Sequence, residues 1–474
     1  MYCHYYIFIE YKSQYKECKI HAKRNVCGGP ATTLGCKVNQ AETDSMLDML
    51  KAAGANIVEF DEKADIYIVN TCSVTNIADK KSRQMLHRAR KMNPDGIVIA
   101  AGCYVQSARE ILEQDEAIDI VISNNKKKSI TEIVNDYINV RNNGKNAPGK
   151  DHEAMEYFVD ISRETEYEEM GGHVPVGHTR AYVKIQDGCN QFCSYCIIPY
   201  VRGRIRSRSQ EAILAEVSEL AEAGIKEVVL TGIHISSYGK DKNNEGALIE
   251  LIEAISKIKG IKRIRLGSLE PGIITEEFVE RISSNSKVCP HFHLSLQSGC
   301  DSVLKRMNRK YTCKQYFEKC DMLRKAYKSP ALTTDVIVGF PGETEEEFAE
   351  TVRYLTELNL YEMHIFKYSP RKGTVAAAMK EQVAPEIKNE RSDVLLKLAH
   401  DNKTAYEAQF EGCELEVLVE EVVKKDNKTY LRGHTERYMD ILIDVGDISM
   451  PESFVNSFVY VTYTQNGGNL PLLL

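Results

Sequence analysis

From about residue 178 to residue 385 an apolar, β-like run is followed by a helical run at least six times over, and no other feature narrows the fold as much. The β-like runs lie at 181–186, 227–234, 263–269, 291–297, 332–339 and 362–368, with helical stretches such as 210–223, 246–258 and 345–358 between them. Consecutive right-handed βα units of this number curl into a full or partial barrel, with chemistry at the carboxyl ends of the strands. An open doubly wound sheet is the alternative that the same pattern permits.

Two further blocks flank this repeat. Residues 31–125 alternate buried strands at 65–70 (DIYIVN), 96–101 (GIVIAA) and 117–122 (AIDIVI) with helices at 42–53 and 79–91, the pattern of a parallel α/β sheet. The polar stretch 135–150, which ends in RNNGKNAPGK, reads as a linker. Between 405 and 465 the runs 414–421, 428–434 and 440–443 alternate apolar and polar residues without intervening helices, and 454–463 follows. That suits a small antiparallel β-barrel, or a β appendage with no binding role. The expected organisation is α/β throughout: an atypical extension at 1–30, a parallel-sheet domain with linker at 31–150, a barrel core at 165–400 and the small barrel at 405–465. Gly28, Gly29 and Pro30 are poor material for a central strand ahead of Cys36.

No apolar run approaches the roughly 18–20 residues that span a bilayer, and tyrosines, lysines and glutamates occupy the first twenty positions where a signal peptide would be apolar. The expectation is a cytoplasmic protein without membrane contact. Its 14 cysteines are then reduced, and are read as metal ligands or core thiols before disulfides. A net charge of −7 argues against indiscriminate polyanion binding, while local basic patches remain open to phosphates.

Cys189, Cys193 and Cys196 fall within eight residues, directly after the strand 181–186. Three thiolates in one loop can each ligate one iron of a cubane cluster and leave the fourth iron open to a ligand. A structural zinc site is the rival, but it needs a fourth ligand, and the following IIPYVRGR supplies neither Cys nor His. Cys36, Cys72 and Cys103 are distant in sequence, yet Cys72 and Cys103 each follow a strand of the first sheet, and Cys36 stands where one is expected. Loops at one end of a parallel sheet converge, so these three either share a metal site or are unrelated buried thiols.

The segment DGCNQFCSYCIIPYVRGRIRSR resembles the signature of radical S-adenosylmethionine enzymes, and specifically of the methylthiotransferases. The likeness runs from about residue 32 to 463, and TLGCKVNQAETDSM, NTCSVTNIADKKSRQ and YVRGRIRSR resemble the MtaB-type subfamily, which modifies N6-threonylcarbamoyladenosine at tRNA position 37. The resemblance implies two [4Fe–4S] clusters, one on Cys189, Cys193 and Cys196 that cleaves S-adenosylmethionine, and an auxiliary one on Cys36, Cys72 and Cys103 that carries the sulfur to be inserted. It also implies tRNA, through its anticodon loop, as partner, with an electron donor and a sulfur donor. Ser268, Glu270, Gln297 and Asp335, in loops such as LGSLEP and LSLQSGCD, are the residues it suggests for the S-adenosylmethionine pocket; each also fits a turn or cap. The C-terminal block resembles a TRAM domain, associated with RNA binding.

Of the basic runs, Arg202, Arg204 and Arg206 beside the second trio are the candidate RNA contacts, while 126–128 (KKK) reads as a solvated helix face. Thr344 with the acids of TEEEF fits a helix N-terminus. An isopentenyladenosine-specific enzyme, a ribosomal-protein methylthiotransferase and a non-catalytic RNA-binding iron–sulfur protein stay open as alternatives.

Overall fold

The computed structural model describes residues 8–10, 25–27, 34–58, 63–142, 157–171, 179–426, 428–446, 450–464 and 467–469. Its first sheet has six strands in the order Phe8–Glu10, Asn56–Ile57, Asn25–Cys27, Ile66–Thr71, Ile97–Gly102 and Ile120–Ile122, the last four parallel. Every residue of Ile66–Thr71 and Ile97–Gly102 is buried, because helices cover both faces. Ile66, Ile68, Ile97 and Ile99 pack with Met46 and Leu50 of the helix Lys37–Ala52, while Tyr67, Val69, Val98 and Ala100 pack with Leu86 and Ala89 of Asn76–Met92. The extension contributes strands: Val26 pairs with Ile66 and Cys27 with Tyr67. The sequence GGP that follows lies outside the described residues.

The expected linker at 135–150 is corrected in its first half, where the helix Ile130–Asn142 buries Ile130, Ile133, Val134, Tyr137 and Ile138. These positions follow helical periodicity, and the polar residues between them conceal it. The remainder of that stretch lies outside the described residues.

Six parallel strands form the central partial barrel: Arg180–Asp187, Glu227–Gly232, Arg263–Leu266, His291–His293, Ala331–Val338 and Glu362–Lys367. They make two sheets joined by the isolated bridges Ile264↔Val288 and Leu269↔Leu294. The run 291–297 pairs as a strand only over its first three residues; beyond them Gln297 adopts a left-handed φ of 78° and bridges Val336. Ala181, Val183, Ile185, Val228, Leu230, Ile264 and Leu266 face the helices in one large apolar core. Strand alternation therefore turns Arg180, Lys184, Gln186, Glu227, Arg265, His291, His293, Asp335 and His364 into the lumen.

The last block is a closed barrel of the strands Glu414–Lys425, Lys428–Thr435, Asp440–Asp444, Gly467–Asn469 and Phe458–Thr464, as its patterning implied. Its turn at 434–439 seats on the amino ends of the central strands. There Arg265 donates to the carbonyls of Thr435 (3.3 Å) and Glu436 (2.9 Å), Arg263 donates to that of His434 (3.0 Å), and the Tyr438 ring lies 4.7 Å from the Arg265 guanidinium and 5.0 Å from that of Arg180. No helix among the described residues is long and apolar enough to cross a membrane.

Candidate functional site

At the carboxyl end of the first central strand, Gly188 turns the chain with φ 71°, and a Cβ there would sit 1.7 Å from the Arg204 carbonyl oxygen; only glycine fits. The loop after it is pinned from several sides: Cys189 N donates to Gly203 O (3.0 Å), Ser194 N to Met307 O (3.0 Å), Ser194 Oγ to Arg306 O (2.8 Å) and Asn308 Nδ2 to Phe192 O (2.9 Å). Cys189, Cys193 and Cys196 thus share one neighbourhood: Cys189 feels the charge of Cys193, and Cys196 that of both others. The Gln191 amide donates to Cys189 Sγ (3.4 Å), and Arg309, legible in the sequence only as one cation of the basic run 305–310 (KRMNRK), donates to Cys193 Sγ (3.3 Å).

The other trio assembles from three loops at one sheet edge. Cys36 precedes the helix Lys37–Ala52, Cys72 follows Ile66–Thr71 and Cys103 follows Ile97–Gly102. Gly102 has φ 98° and a Cβ there would meet Thr71 O at 2.4 Å, so the close approach of adjacent loops requires glycine before Cys103. Asn39 Nδ2 donates to Thr71 O (2.9 Å), and Asn70 Nδ2 to Asn39 O (3.0 Å) and Thr43 Oγ1 (3.0 Å), locking the loops in register. Burial pushes Cys72 up to about 12, with Cys103 and Cys36 adding to the rise. In neither trio do the three sulfurs lie within 4.8 Å of one another, as ligands of a single ion would; a cubane holds its cysteines at separate corners.

The two trios adjoin. Cys103 packs with Ile197 and Val201, immediately beyond Cys196, and Arg202 Nε donates to Cys103 Sγ at 3.1 Å. The expectation that Arg202 and Arg206 meet RNA is corrected: they are 0% and 1% exposed. Arg202 ion-pairs with Glu42 of the first sheet's helix and with Asp187 (3.2 Å); Arg206 lies 3.8 Å from Asp187. Lys184 joins both acids (2.7 and 2.6 Å). Lys127 is likewise corrected from a solvated position to one fully buried on Glu42. Burial alone would raise Glu42 and Asp187, but these cations hold both carboxyls below their ordinary range. Lys127, Lys184, Arg202 and Arg206 outnumber the carboxylates here even with Glu168 counted, and Arg202 turns its Nε to Cys103 Sγ. Arg204 alone of its run is exposed, its guanidinium 4.5 Å from the Phe192 ring centroid.

Of the expected pocket residues, exposed Ser268 and half-buried Glu270 stand beyond the strand Arg263–Leu266, and the charge of Glu270 reaches Cys189. Glu270 also caps its turn, accepting from Gly272 N (2.9 Å). Gln297 is buried at its left-handed kink. Asp335 sits deeper on the lumen wall, 3.2 Å from His293 Nε2. His293, Asp335, His364 and Lys37 were not recognised as a group from sequence. The alternation in HFH and the lysine beside Cys36 were the available signals. Cys300 is buried against Glu350 and Ser302, outside both trios.

Residues 183–355 match the radical SAM superfamily, and residues 30–123 the uncharacterized protein family UPF0004. The threonylcarbamoyladenosine tRNA methylthiotransferase MtaB of Bacillus subtilis is 39% identical over 411 residues, covering 86% of this chain and 89% of the relative. The protein of the same name from Aquifex aeolicus is 37% identical over 409 residues, covering 86% and 97%. A tRNA-2-methylthio-N(6)-dimethylallyladenosine synthase of Thermoanaerobacter pseudethanolicus is 35% identical over 443 residues, covering 91% and 90%.

Proposed function

This chain belongs to the radical S-adenosylmethionine tRNA methylthiotransferases, and from that premise we propose that it places a methylthio group on C2 of N6-threonylcarbamoyladenosine at position 37 of tRNA. The observation that carries the reading is the adjacency of two cysteine trios, one on a single loop and one on three, across a buried seam.

The donor sets suit the cofactors of this family, S-adenosylmethionine and [4Fe–4S] clusters: each trio offers three thiols and leaves a corner of a cubane open. Cys189, Cys193 and Cys196 hold one cluster, and Cys36, Cys72 and Cys103 the other. When bound, these groups supply the one-electron chemistry, the methyl group and the sulfur.

The chain's own residues bind, orient and exclude water. Arg309 and the Gln191 amide donate to the sulfurs of the first site, and Arg202 to Cys103, which orients these thiols. Ser268, Glu270 and Gln297, at the strand ends beside Cys189, hold S-adenosylmethionine. Asp335, engaged with His293, forms wall. Arg204 on its Phe192 platform takes a phosphate, and the C-terminal barrel grips the RNA. The division of labour follows the blocks 31–150, 165–400 and 405–465. An electron donor and a sulfur donor complete the reaction, and acting on tRNA places the enzyme in the cytoplasm.

The test is anaerobic reconstitution followed by reaction with tRNA bearing N6-threonylcarbamoyladenosine. About eight irons per chain and a methylthio product by mass spectrometry are expected. About four irons, or product only on isopentenyladenosine tRNA or on a ribosomal protein, would overturn the reading.

A further inference from the structure

Lys37 follows Cys36 and reaches into the lumen, its Nζ 6.0 Å from the centroid of Tyr438. Its side chain is accessible to solvent, with protein close around it. The other cations of this lumen are matched: Arg180 with Glu420, Arg265 with Glu227 (2.9 Å), Lys184 with Glu42 and Asp187. Among the described residues no carboxylate pairs with Lys37. A cation held in a chamber by protein, without a partner, gains from an anion that enters with a ligand.

Facing it is a set of oriented imidazoles. His293 is fixed by Thr333 Oγ1 (3.0 Å) and Asp335 (3.2 Å), and the His364 ring stacks on it at 5.7 Å and 21°. His364 is exposed to the lumen and has no hydrogen-bond partner among the described residues. The Tyr438 ring joins the lysine to the imidazoles, 6.0 Å from Lys37 Nζ and 5.3 Å from the His291 ring, and the charge of Lys37 reaches His364 as well. The ligand atoms of His293, Asp335 and His364 lie within 4.8 Å of one another, close enough for a divalent cation. A dication there would be repelled by the unpaired Lys37, whose charge reaches His364, so the lumen's one unmatched cation among the described residues favours an anion.

We propose that Lys37, with the His364 imidazole, is the subsite for the carboxylate on the N6 substituent of the substrate base, so that these residues set which modified adenosine is accepted. This rests on the threonylcarbamoyladenosine reading: a threonylcarbamoyl group ends in a carboxylate and a hydroxyl, whereas a dimethylallyl group carries no charge. The carboxylate pairs with Lys37, and His364 donates a hydrogen bond to it. Asp335 acts through His293, as a positioning residue.

The experiment is steady-state methylthiolation by the reconstituted full-length enzyme, with two forms of one tRNA. One form bears N6-threonylcarbamoyladenosine, and the other carries the same base with its carboxylate converted to the methyl ester. Iron per chain is counted for every variant, to separate loss of a cluster from loss of recognition. Lys37→Met is expected to lower kcat/KM on the acid at least about thirtyfold and to change it little on the ester, with Lys37→Arg restoring most of the loss. His364→Leu should show the same pattern with a smaller drop. Equal losses on acid and ester, or Lys37→Met within threefold of the parent on the acid, would overturn the subsite while leaving the substrate reading intact. A parent enzyme inactive on the acid but active on isopentenyladenosine tRNA would overturn both.

Discussion

Cys189, Cys193 and Cys196 ride on one loop between a strand and a short helix, whereas Cys36, Cys72 and Cys103 ride on three loops that only the parallel sheet brings together. The first arrangement is nearly local: one glycine turn and a handful of loop hydrogen bonds define it. The second depends on strand register, on the Asn39–Asn70 lock, and on Arg202 reaching from the central barrel to Cys103. Two sites with the same ligand count therefore differ in what they require of the fold. The loop site needs its loop; the sheet site needs the sheet and its contact with the barrel.

The sharpest way to break this contrast is to remove one ligand from each. Cys193→Ala should reduce both 5′-deoxyadenosine and methylthio product to background by chromatography, and retained 5′-deoxyadenosine would remove that loop from the chemistry. Cys72→Ala should keep S-adenosylmethionine cleavage, lose methylthiolation and fall to about four irons per chain. Full product from this variant would show that Cys72 is no ligand.

A subtler break targets the seam. Glu42→Gln leaves Lys127, Lys184 and Arg202 facing a neutral amide and should cost about 3–5 kcal/mol in urea unfolding of the apoprotein. Iron should be lost from the sheet site before the loop site. Equal loss from both would erase the distinction drawn here.

Acid should act at the floor of the lumen. Burial alone would raise Glu227, but Arg265, Arg180 and Arg263 hold it at about 2, below the ordinary 4.5. Its folded value is depressed, so its contribution is complete above pH 4.5 and fades as pH falls through 2. At about 1.36 kcal/mol per pH unit that contribution is roughly 3 kcal/mol. Glu227→Gln should therefore flatten apoprotein stability between pH 5 and 2, and an unchanged acid limb would show that other carboxylates dominate. The smallest effect is expected at Thr344→Ala, which removes the threonine half of the capping box and leaves the Glu347–Arg306 ion pair in place. About 1 kcal/mol of stability should go, with no change in iron content.

What the sequence made legible was what repeats over short distances. The helix Glu345–Leu358 appears residue for residue behind its Thr344 cap, and the central strands begin within a residue or two of where their apolar runs begin. The trio of Cys189, Cys193 and Cys196 was legible because three thiols within eight residues have few other uses, whereas Cys36, Cys72 and Cys103, far apart in the chain, were legible as a set only through the family resemblance. What stayed hidden depends on pairing across the chain. Arg202 looks like a phosphate contact until Glu42, 160 residues earlier, is brought against it. Lys127 looks solvated for the same reason. The lumen group of Lys37, His293, Asp335 and His364 draws on four separate elements, and no local pattern links them.

Tyr438 gives the C-terminal barrel a second employment. The end of the reaction chamber opposite the loop cysteines is closed by a side chain borrowed from the module expected to grip RNA. A chain nicked or truncated before residue 410 would thus lose more than its hold on tRNA. The amino end of its lumen would stand open, and thiols or other reductants from solution could reach the substrate's place inside and donate hydrogen in its stead. Such a fragment would be wasteful as well as weak, consuming S-adenosylmethionine with little product to show for it.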